Sequence, residues 1–357
     1  MKPLLICVGL AMVLATAVPL LRKEAWWIRW LDFPRLQILV VLAVVLAAYL
    51  PLAGDSAPSY LFLGLLAAAL AYQGYMMFPY TLLARRQVEQ SRRATQESTV
   101  CLLFANVLMH NREAARLKAM IAECAPDVVL AVEADDWWRE QLGYLKRTHP
   151  HAVEHPRDNT YGMLLYSRLE LIAPEVKFLV QDDVPSIHAR LRLRDGTEVE
   201  LRCLHPRPPA PQEAPESTER DAELLIVGRD LKRRGAPAIV LGDLNDVAWS
   251  RTNYEFQDVS GLLDPRIGRG FYHTFHASYP FIRYPLDHCF HSKHFRLVSF
   301  RRLGRFGSDH FPVCIALSYE PEAAATQPEL HADAGEQREA GEKIARATGT
   351  RFATRVS

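Results

Sequence analysis

Apolar and polar positions divide this chain into two regimes. Residues 4–21, 36–53 and 60–84 are almost wholly apolar, the last apart from Gln73. Each is long enough to cross a bilayer core, which takes roughly 17–25 residues. Trp26, Trp27, Trp30, Tyr60, Tyr75 and Tyr80 cluster at the ends of these runs, as interfacial aromatics do. From residue 100 onward the pattern changes to short apolar strands alternating with amphipathic helices. Residues 100–105 and 127–132 read as buried strands. Between them Leu117, Met120, Ile121 and Cys124 repeat at helical spacing, and Pro126 stops that helix. Asp135 caps a second helix through Trp138, Leu142 and Leu145. Residues 157–161 form a polar turn, and 162–167, 171–180 and 187–193 follow as strands. Asp195-Gly196 makes a hairpin turn into strand 198–204. A proline-rich irregular loop, 205–215, leads to a helix that opens at Thr218, carries Leu224, Val227 and Leu231 on one face, and closes at Gly235. Strand 238–243 comes next. Aromatic and polar loops over 249–284, with a short helix near Asn253, precede strands 285–290, 295–303 and 311–317.

This order predicts an α/β (α+β) layered domain over 100–319. Three transmembrane helices in 1–84 and a basic juxtamembrane linker, 85–99, precede it. Beyond residue 320 the chain turns to Ala, Glu, Gln and Arg, and that composition predicts a disordered tail, 320–357.

Charge sharpens the membrane reading. The first connector carries Arg22, Lys23, Arg29 and Arg35, and the segment after the third run carries Arg85, Arg86, Arg92 and Arg93; residues 54–59 hold only Asp55. The excess of positive charge on one side predicts a multi-pass inner-membrane protein with a cytoplasmic domain, an extracytoplasmic domain being the alternative. No small-residue cleavage site follows the first run, so a signal peptide is the weaker reading. The net charge of +1 gives no global basic field for nucleic acid. Six cysteines without a CxxC pair fit buried free thiols better than a disulfide framework.

The chemistry gathers at strand ends. Ala238-Ile239-Val240-Leu241 runs straight into Gly242-Asp243-Leu244-Asn245-Asp246. Asn106, Glu133, His205 and Asp243 each end an apolar strand, and Asp309-His310 stands just before one. Any one of them is an ordinary turn residue by itself. Together they predict one site, because strand ends on one sheet edge converge. Glu133 and Asp309, with Asn106 near, supply the oxygen ligands that Mg²⁺ or Mn²⁺ prefers. Asp287 and His310 make a carboxylate–imidazole pair, and His205 is a second imidazole for acid–base catalysis. No serine or cysteine sits in an elbow motif.

Asn106, Glu133, His205-Pro206, Gly242-Asp243-Leu244-Asn245, Leu286-Asp287 and Ser308-Asp309-His310-Phe311-Pro312 resemble, in order, the motifs of the endonuclease/exonuclease/phosphatase superfamily, in particular its deoxyribonuclease-like and membrane-anchored bacterial members. That resemblance implies a four-layer sandwich of two mixed β-sheets flanked by helices, and Mg²⁺-dependent hydrolysis of a phosphoester by an activated water. It implies a metal-binding role for Glu133, Asp309 and Asn106. Asp243 and Asn245 would position water and phosphate, His310 would be oriented by Asp287, and His205 would act opposite them. Asn106, Asn245 and Arg207 would contact substrate. His288 stands where many members carry an aromatic residue.

The resulting expectation is a membrane-anchored phosphodiesterase or nuclease. A lipid or inositol-phosphate phosphatase or phospholipase is the second reading, and a catalytically degenerate, membrane-tethered binding module the third. The partners implied are a nucleic-acid or phospholipid phosphoester and the bilayer. Arg266, Arg269 and Arg283, with Phe271, Tyr272, Phe275 and Tyr279, read either as a substrate rim or as loop packing.

Overall fold

The three apolar runs form three long helices in the structure, a computed structural model that describes residues 1–349. The chain divides into two compact units. The first comprises Met1–Arg85 together with Pro209–Ser217 and Gly268–Gly270. It contains α1 (Lys2–Ala17), the short α2 (Trp26–Arg29), α3 (Arg35–Tyr49) and α4 (Ala57–Met77). With their 3₁₀ extensions, Lys2–Leu21, Arg35–Leu52 and Ala57–Tyr80 are long and apolar enough to cross a membrane. The third ends at Tyr80 rather than at residue 84, because Pro79 cannot supply the next helical N–H. Ile38, Leu42, Val45, Phe62, Leu66 and Ala69 pack together along these helices. Thr16, Gln73, Arg35 and Asp32 pair with one another among these helices. The Gln73 amide donates to Thr16 Oγ1 at 3.0 Å, Arg35 donates to Gln73 Oε1 at 3.3 Å, and Arg35 pairs with Asp32 at 2.5 Å. The loop segments are stitched in by backbone bonds: Trp26 N–H donates to Pro215 O at 3.0 Å and Gly268 N–H to Pro79 O at 2.8 Å.

The second unit carries two sheets. In chain order its elements are β1 (Thr99–Asn106), α5 (Ala114–Cys124), β2 (Val128–Val132), α6 (Asp136–Leu142), β3 (His151–His155), β4 (Met163–Ser167), β5 (Leu171–Lys177), β6 (Ser186–Arg192) and β7 (Glu198–Leu204). Then come α7 (Thr218–Arg234), β8 (Ala238–Asp243), α8 (Arg251–Ser260), β9 (Asp287–His291), β10 (Phe295–Arg302), β11 (Val313–Tyr319) and α9 (Ala334–Thr348). One sheet has the order β10-β11-β1-β2-β4-β3, the other β5-β6-β7-β8-β9. Among the described strands, β1/β2 and β7/β8 pair in parallel and the rest antiparallel. The sheets share a core in which Leu102, Phe104, Leu130 and Val132 meet Leu201, Cys203, Ile239 and Leu241. On the outer face of the first sheet, Leu117 and Ile121 of α5 and Trp138 and Leu142 of α6 cover Leu103 and Val129. On the second, Leu224, Val227 and Leu231 of α7 and Phe256 of α8 cover Val240 and Leu204. This is the expected sandwich of two mixed sheets between helices, and burial on both faces explains why its central strands read as unbroken apolar runs.

Two elements depart from the sequence expectation. β3 is an edge strand of His, Ala, Val, Glu and His, half-exposed, and so lacks an apolar signature. The expected disordered tail is helical over Ala334–Thr348. Asp333 and Glu336 form a capping box, Ala340 and Ile344 pack against Ala222, Leu225 and Val259, and buried Lys343 pairs with Glu255. A stripe this narrow is outweighed in composition by the polar face, which is why the segment read as disordered. The remaining tail, 350–357, lies outside the described residues.

The buried face of α7 also holds a carboxyl. Glu223 is 3 % exposed, and one of its oxygens is buried without a hydrogen-bond partner among the described residues. Burial pushes its pKa up to about 8. A carboxyl raised in this way stabilises the fold fully below its unfolded pKa and loses that contribution as pH rises through about 8. Glu223→Gln is therefore expected to raise thermal stability at pH 9 by on the order of 3 kcal/mol, with little change at pH 4. Parallel melts at the two pH values check this; an equal shift at both contradicts it.

Candidate active site

The topology brings the strand-end residues to one edge. β1 and β2 run parallel and end on Asn106 and Val132, so Asn106 and Glu133 emerge side by side. β7 and β8 do the same for His205 and Asp243. Antiparallel β9 starts where β8 ends, which sets Asp287 directly opposite Asp243. The segment that carries His310 feeds β11, the antiparallel neighbour of β1.

The side chains close a connected set. The Asn106 amide donates to Glu133 Oε1 at 2.7 Å and to Asp243 Oδ2 at 3.1 Å. His310 Nε2 lies 3.5 Å from that same Asp243 oxygen, and its Nδ1 lies 2.9 Å from Asp287 Oδ2. Asp243 Oδ1 accepts the Asn245 N–H at 2.9 Å. Asn245, in a left-handed conformation with φ 52°, donates its side-chain amide to Pro206 O at 2.9 Å and so ties the end of β8 to the His205 loop. Ligand atoms of Glu133, His205 and Asp243 all lie within 4.8 Å of one another, and those of Asp243, Asp287 and His310 do likewise.

Electrostatics follow from this crowding. Burial, reinforced by Asp243 and Asp309, pushes Glu133 up to about 7 even though the Asn106 hydrogen bond and His310 oppose it. Burial also raises Asp243, with Asp287 adding to the shift and His310 and His205 resisting it. Burial alone would strip His310 of its proton, but Asp287 and Asp243 override it and hold the imidazolium up to about 10. His205 goes the other way: burial pushes it down to about 4, and its Nδ1 is buried without a hydrogen-bond partner among the described residues. An acid-rich pocket with strained carboxylates and one orphaned imidazole nitrogen fits a hard divalent cation with an anionic ligand beside it.

Asn106, Glu133, His205, Asp243, Asn245, Asp287 and His310 thus meet. Asn106 turns its NH₂ to the carboxylates of Glu133 and Asp243, while its oxygen accepts the Leu108 N–H at 3.0 Å. Asp309 stands outside both groups of converging ligand atoms. It still lies near enough to raise Glu133 and to favour the His310 cation, and Ser308 Oγ beside it donates to Asn106 O at 2.8 Å. Arg207 is partly committed, paired with Asp183 at 2.5 Å and stacked 5.4 Å over the Tyr161 ring, which itself lies 5.5 Å from the His205 ring.

A supporting layer escaped the sequence reading. Buried Arg266 pairs with Asp264 at 2.8 Å, donates to Asp287 O at 3.3 Å and to His288 Nδ1 at 2.6 Å. His288 is held well below its ordinary pKa by burial and by Arg266, and Nε2–H donates to Asp246 O at 2.8 Å. Arg220 pairs with Asp221 at 2.9 Å and Asp246 at 3.0 Å and donates to Asn245 O at 2.8 Å. Thr274 Oγ1 accepts the N–H groups of Leu286 and Asp287, each at 3.2 Å. Arg266 is therefore scaffold and not substrate rim. Only the departure at His288 marked this layer in the sequence.

With this geometry in view, the comparisons with known proteins are direct. The family model described as Endonuclease/Exonuclease/phosphatase family matches residues 103–310. The chain belongs to that family. No curated protein sequence matches it. Among solved structures, the human Nocturnin catalytic domain with bound sulfate anion is similar at TM-score 0.51 and 16 % identity, over 64 % of this chain and 96 % of that one. An endonuclease/exonuclease/phosphatase from Beutenbergia cavernae is similar at TM-score 0.50 and 19 % identity, over 64 % of this chain and 72 % of that one. D. rerio TDP2 complexed with single strand DNA product gives TM-score 0.49 and 18 % identity over 62 % and 99 %. At these identities the first two likenesses establish the fold. Members of this endonuclease/exonuclease/phosphatase family hydrolyse phosphoester bonds, typically with a divalent metal.

Proposed function

We propose that this endonuclease/exonuclease/phosphatase protein is a membrane-anchored, divalent-metal-dependent phosphodiesterase whose catalytic domain spans about residues 100–319. The observation that carries the reading is the continuous set Glu133–Asn106–Asp243–His310–Asp287 with His205 facing it. Glu133 would hold a Mg²⁺ or Mn²⁺ ion, with Asp309 close enough to add negative charge beside it. Bound there, the ion would neutralise phosphoryl oxygens and make a coordinated water more acidic.

The chain's own residues do the rest. Asp243 accepts a proton from the attacking water, because its Oδ2 faces the site while Oδ1 is fixed by Asn245 N–H. His310, cationic because Asp287 holds its Nδ1, donates from Nε2 to a phosphoryl oxygen as charge grows there. Asn245 spends one amide hydrogen on Pro206 O and keeps the other for phosphate. His205 is neutral in this environment; an anionic phosphoryl group beside it offsets its burial and makes it the proton donor to the leaving group. The seven residues that carry this chemistry are all present, which favours an enzyme over a degenerate binding module. Positive charge at both basic segments favours a cytoplasmic domain.

The test is hydrolysis by the full chain of a soluble chromogenic phosphodiester, DNA, RNA and phospholipid vesicles, with and without EDTA. A diester must turn over and EDTA must abolish it; monoester turnover alone would favour the phosphatase reading. Glu133→Gln is expected to raise the Mg²⁺ concentration for half-maximal activity at least tenfold with little change in melting temperature. An unchanged metal titration contradicts Glu133 as a ligand.

A further inference from the structure

The catalytic unit hides its large apolar side chains with one local exception. Among the described residues from 86 onward, the exposed large hydrophobics are Phe178 at 43 % and three within a single four-residue stretch: Tyr279 at 56 %, Phe281 at 85 % and Ile282 at 51 %. Scattered singly, such residues need no explanation. Gathered at the tip of one loop they do.

That loop is built on the active site. Thr274 and Phe275 donate backbone N–H bonds to Tyr284 O at 3.0 and 2.9 Å, and His276 donates to Ile282 O at 3.2 Å, making a hairpin. Its base is fixed to the segment bearing His310: Ala277 N–H donates to Asp309 O at 2.6 Å, Phe311 N–H donates to Thr274 O at 2.8 Å, and the Phe275 ring lies 5.0 Å from the His310 ring. The tip therefore stands at a set position beside the catalytic edge.

Positive charge flanks it. Arg283 and Arg302 stack 5.1 and 4.2 Å over the Phe311 ring, Arg302 donates to His273 O at 3.0 Å, and Arg305 donates to Ser278 Oγ at 2.9 Å. These arginines are held by neutral acceptors and rings; among the described residues no carboxylate pairs with any of them. Burial and Arg283 together hold the Arg302 guanidinium below its ordinary pKa, as cations gathered without anions should be.

We infer that the hairpin tip Tyr279–Ile282, with Arg283, Arg302 and Arg305 around it, docks the catalytic edge onto a bilayer surface carrying anionic headgroups. Aromatic and aliphatic side chains at a tip enter the headgroup–acyl boundary, and basic residues beside them add attraction to anionic lipid. Ile282 is what favours lipid over single-stranded nucleic acid, since a base stacks on a ring and gains little from an aliphatic chain. The chain supplies the proximity. If its three apolar helices span a bilayer, the unit bearing this tip is tethered to that same bilayer by the segment after Tyr80.

The test uses the full chain in nanodiscs of phosphatidylcholine, alone or mixed with phosphatidylglycerol. Cys7, Cys101 and Cys124 are replaced by serine, leaving only buried thiols. An environment-sensitive fluorophore is attached at Pro280→Cys at the tip, at Arg233→Cys on the exposed end of α7, or at Leu61→Cys on a lipid-exposed face of α4. Expected is a blue shift and several-fold stronger quenching by acyl-chain spin labels at positions 280 and 61 than at 233. Adding phosphatidylglycerol should strengthen it at 280, and Phe281→Glu/Ile282→Glu or Arg302→Glu/Arg305→Glu should reverse it there. A position 280 as dry or as wet as 233 in both lipids overturns the proposal, as does an unquenched position 61. So does a label at 280 that responds to a single-stranded oligonucleotide and not to lipid. None of these readouts needs turnover, so the chromogenic-diester assay on the same samples decides the hydrolase reading separately.

Discussion

Replacing His310 with alanine is expected to lower phosphodiester turnover by about a hundred- to ten-thousand-fold, the range lost when a positioned proton donor or charge stabiliser is removed. The size follows from how completely this imidazole is committed. It is buried, its Nδ1 lies 2.9 Å from Asp287, and its Nε2 points to the oxygen of Asp243 that Asn106 also holds. Nothing else in the set supplies a permanent positive charge at that position. The variant also leaves Asp243 and Asp287, directly opposed across β8 and β9, without their shared cation. Like charges facing each other across strands destabilise, so the variant should also melt earlier than the wild type at neutral pH. Asp287→Asn separates the roles. It preserves volume but removes the charge that holds His310 up to about 10, so the imidazole should titrate at lower pH by NMR while turnover falls less than in His310→Ala. A His310→Ala enzyme that keeps more than a tenth of wild-type turnover, folded and metal-dependent, would remove His310 from the chemistry.

The sequence exposed whatever depends on burial and lost whatever depends on loops. β2 and β8 are buried throughout and β1 and β7 over their last five and six residues, and a strand covered on both faces advertises itself as an apolar run whose first polar residue marks the sheet edge. That is why Asn106, Glu133, His205 and Asp243 could be placed at one edge from their positions alone. Arg266, Thr274 and His288 bond to backbone atoms or to one another across 12 to 42 residues, from segments with no period to read. Arg266 illustrates the ambiguity: an arginine in an aromatic loop reads equally as rim or scaffold, and only its 1 % exposure decides it. The tail failed for a thermodynamic reason. α9 draws its stability from Ala340 and Ile344 docking and from the buried Lys343–Glu255 pair, neither of which composition records.

Gly242→Ala is expected to leave no stably folded catalytic unit, a loss above about 4 kcal/mol, the range reserved for exceptional single substitutions. Gly242 adopts φ 156°, close to the edge of the region that side chains rarely enter, and a Cβ built there would sit 1.9 Å from Leu204 O. Leu204 is its paired neighbour at the end of parallel β7, so the obstacle is buried backbone and cannot rotate away. Relief would require β7 and β8 to part just where they present His205 and Asp243. The expected result is insoluble protein, or a melting temperature lowered by many degrees with turnover lost. Gly143→Ala serves as the control. That glycine is in ordinary right-handed helical conformation with open space around its missing Cβ, so alanine there should be neutral or slightly stabilising. A Gly242→Ala protein that melts with the wild type would mean that β7 and β8 separate freely at their ends. The close parallel pairing that aligns the two halves of the site would then not be what holds them.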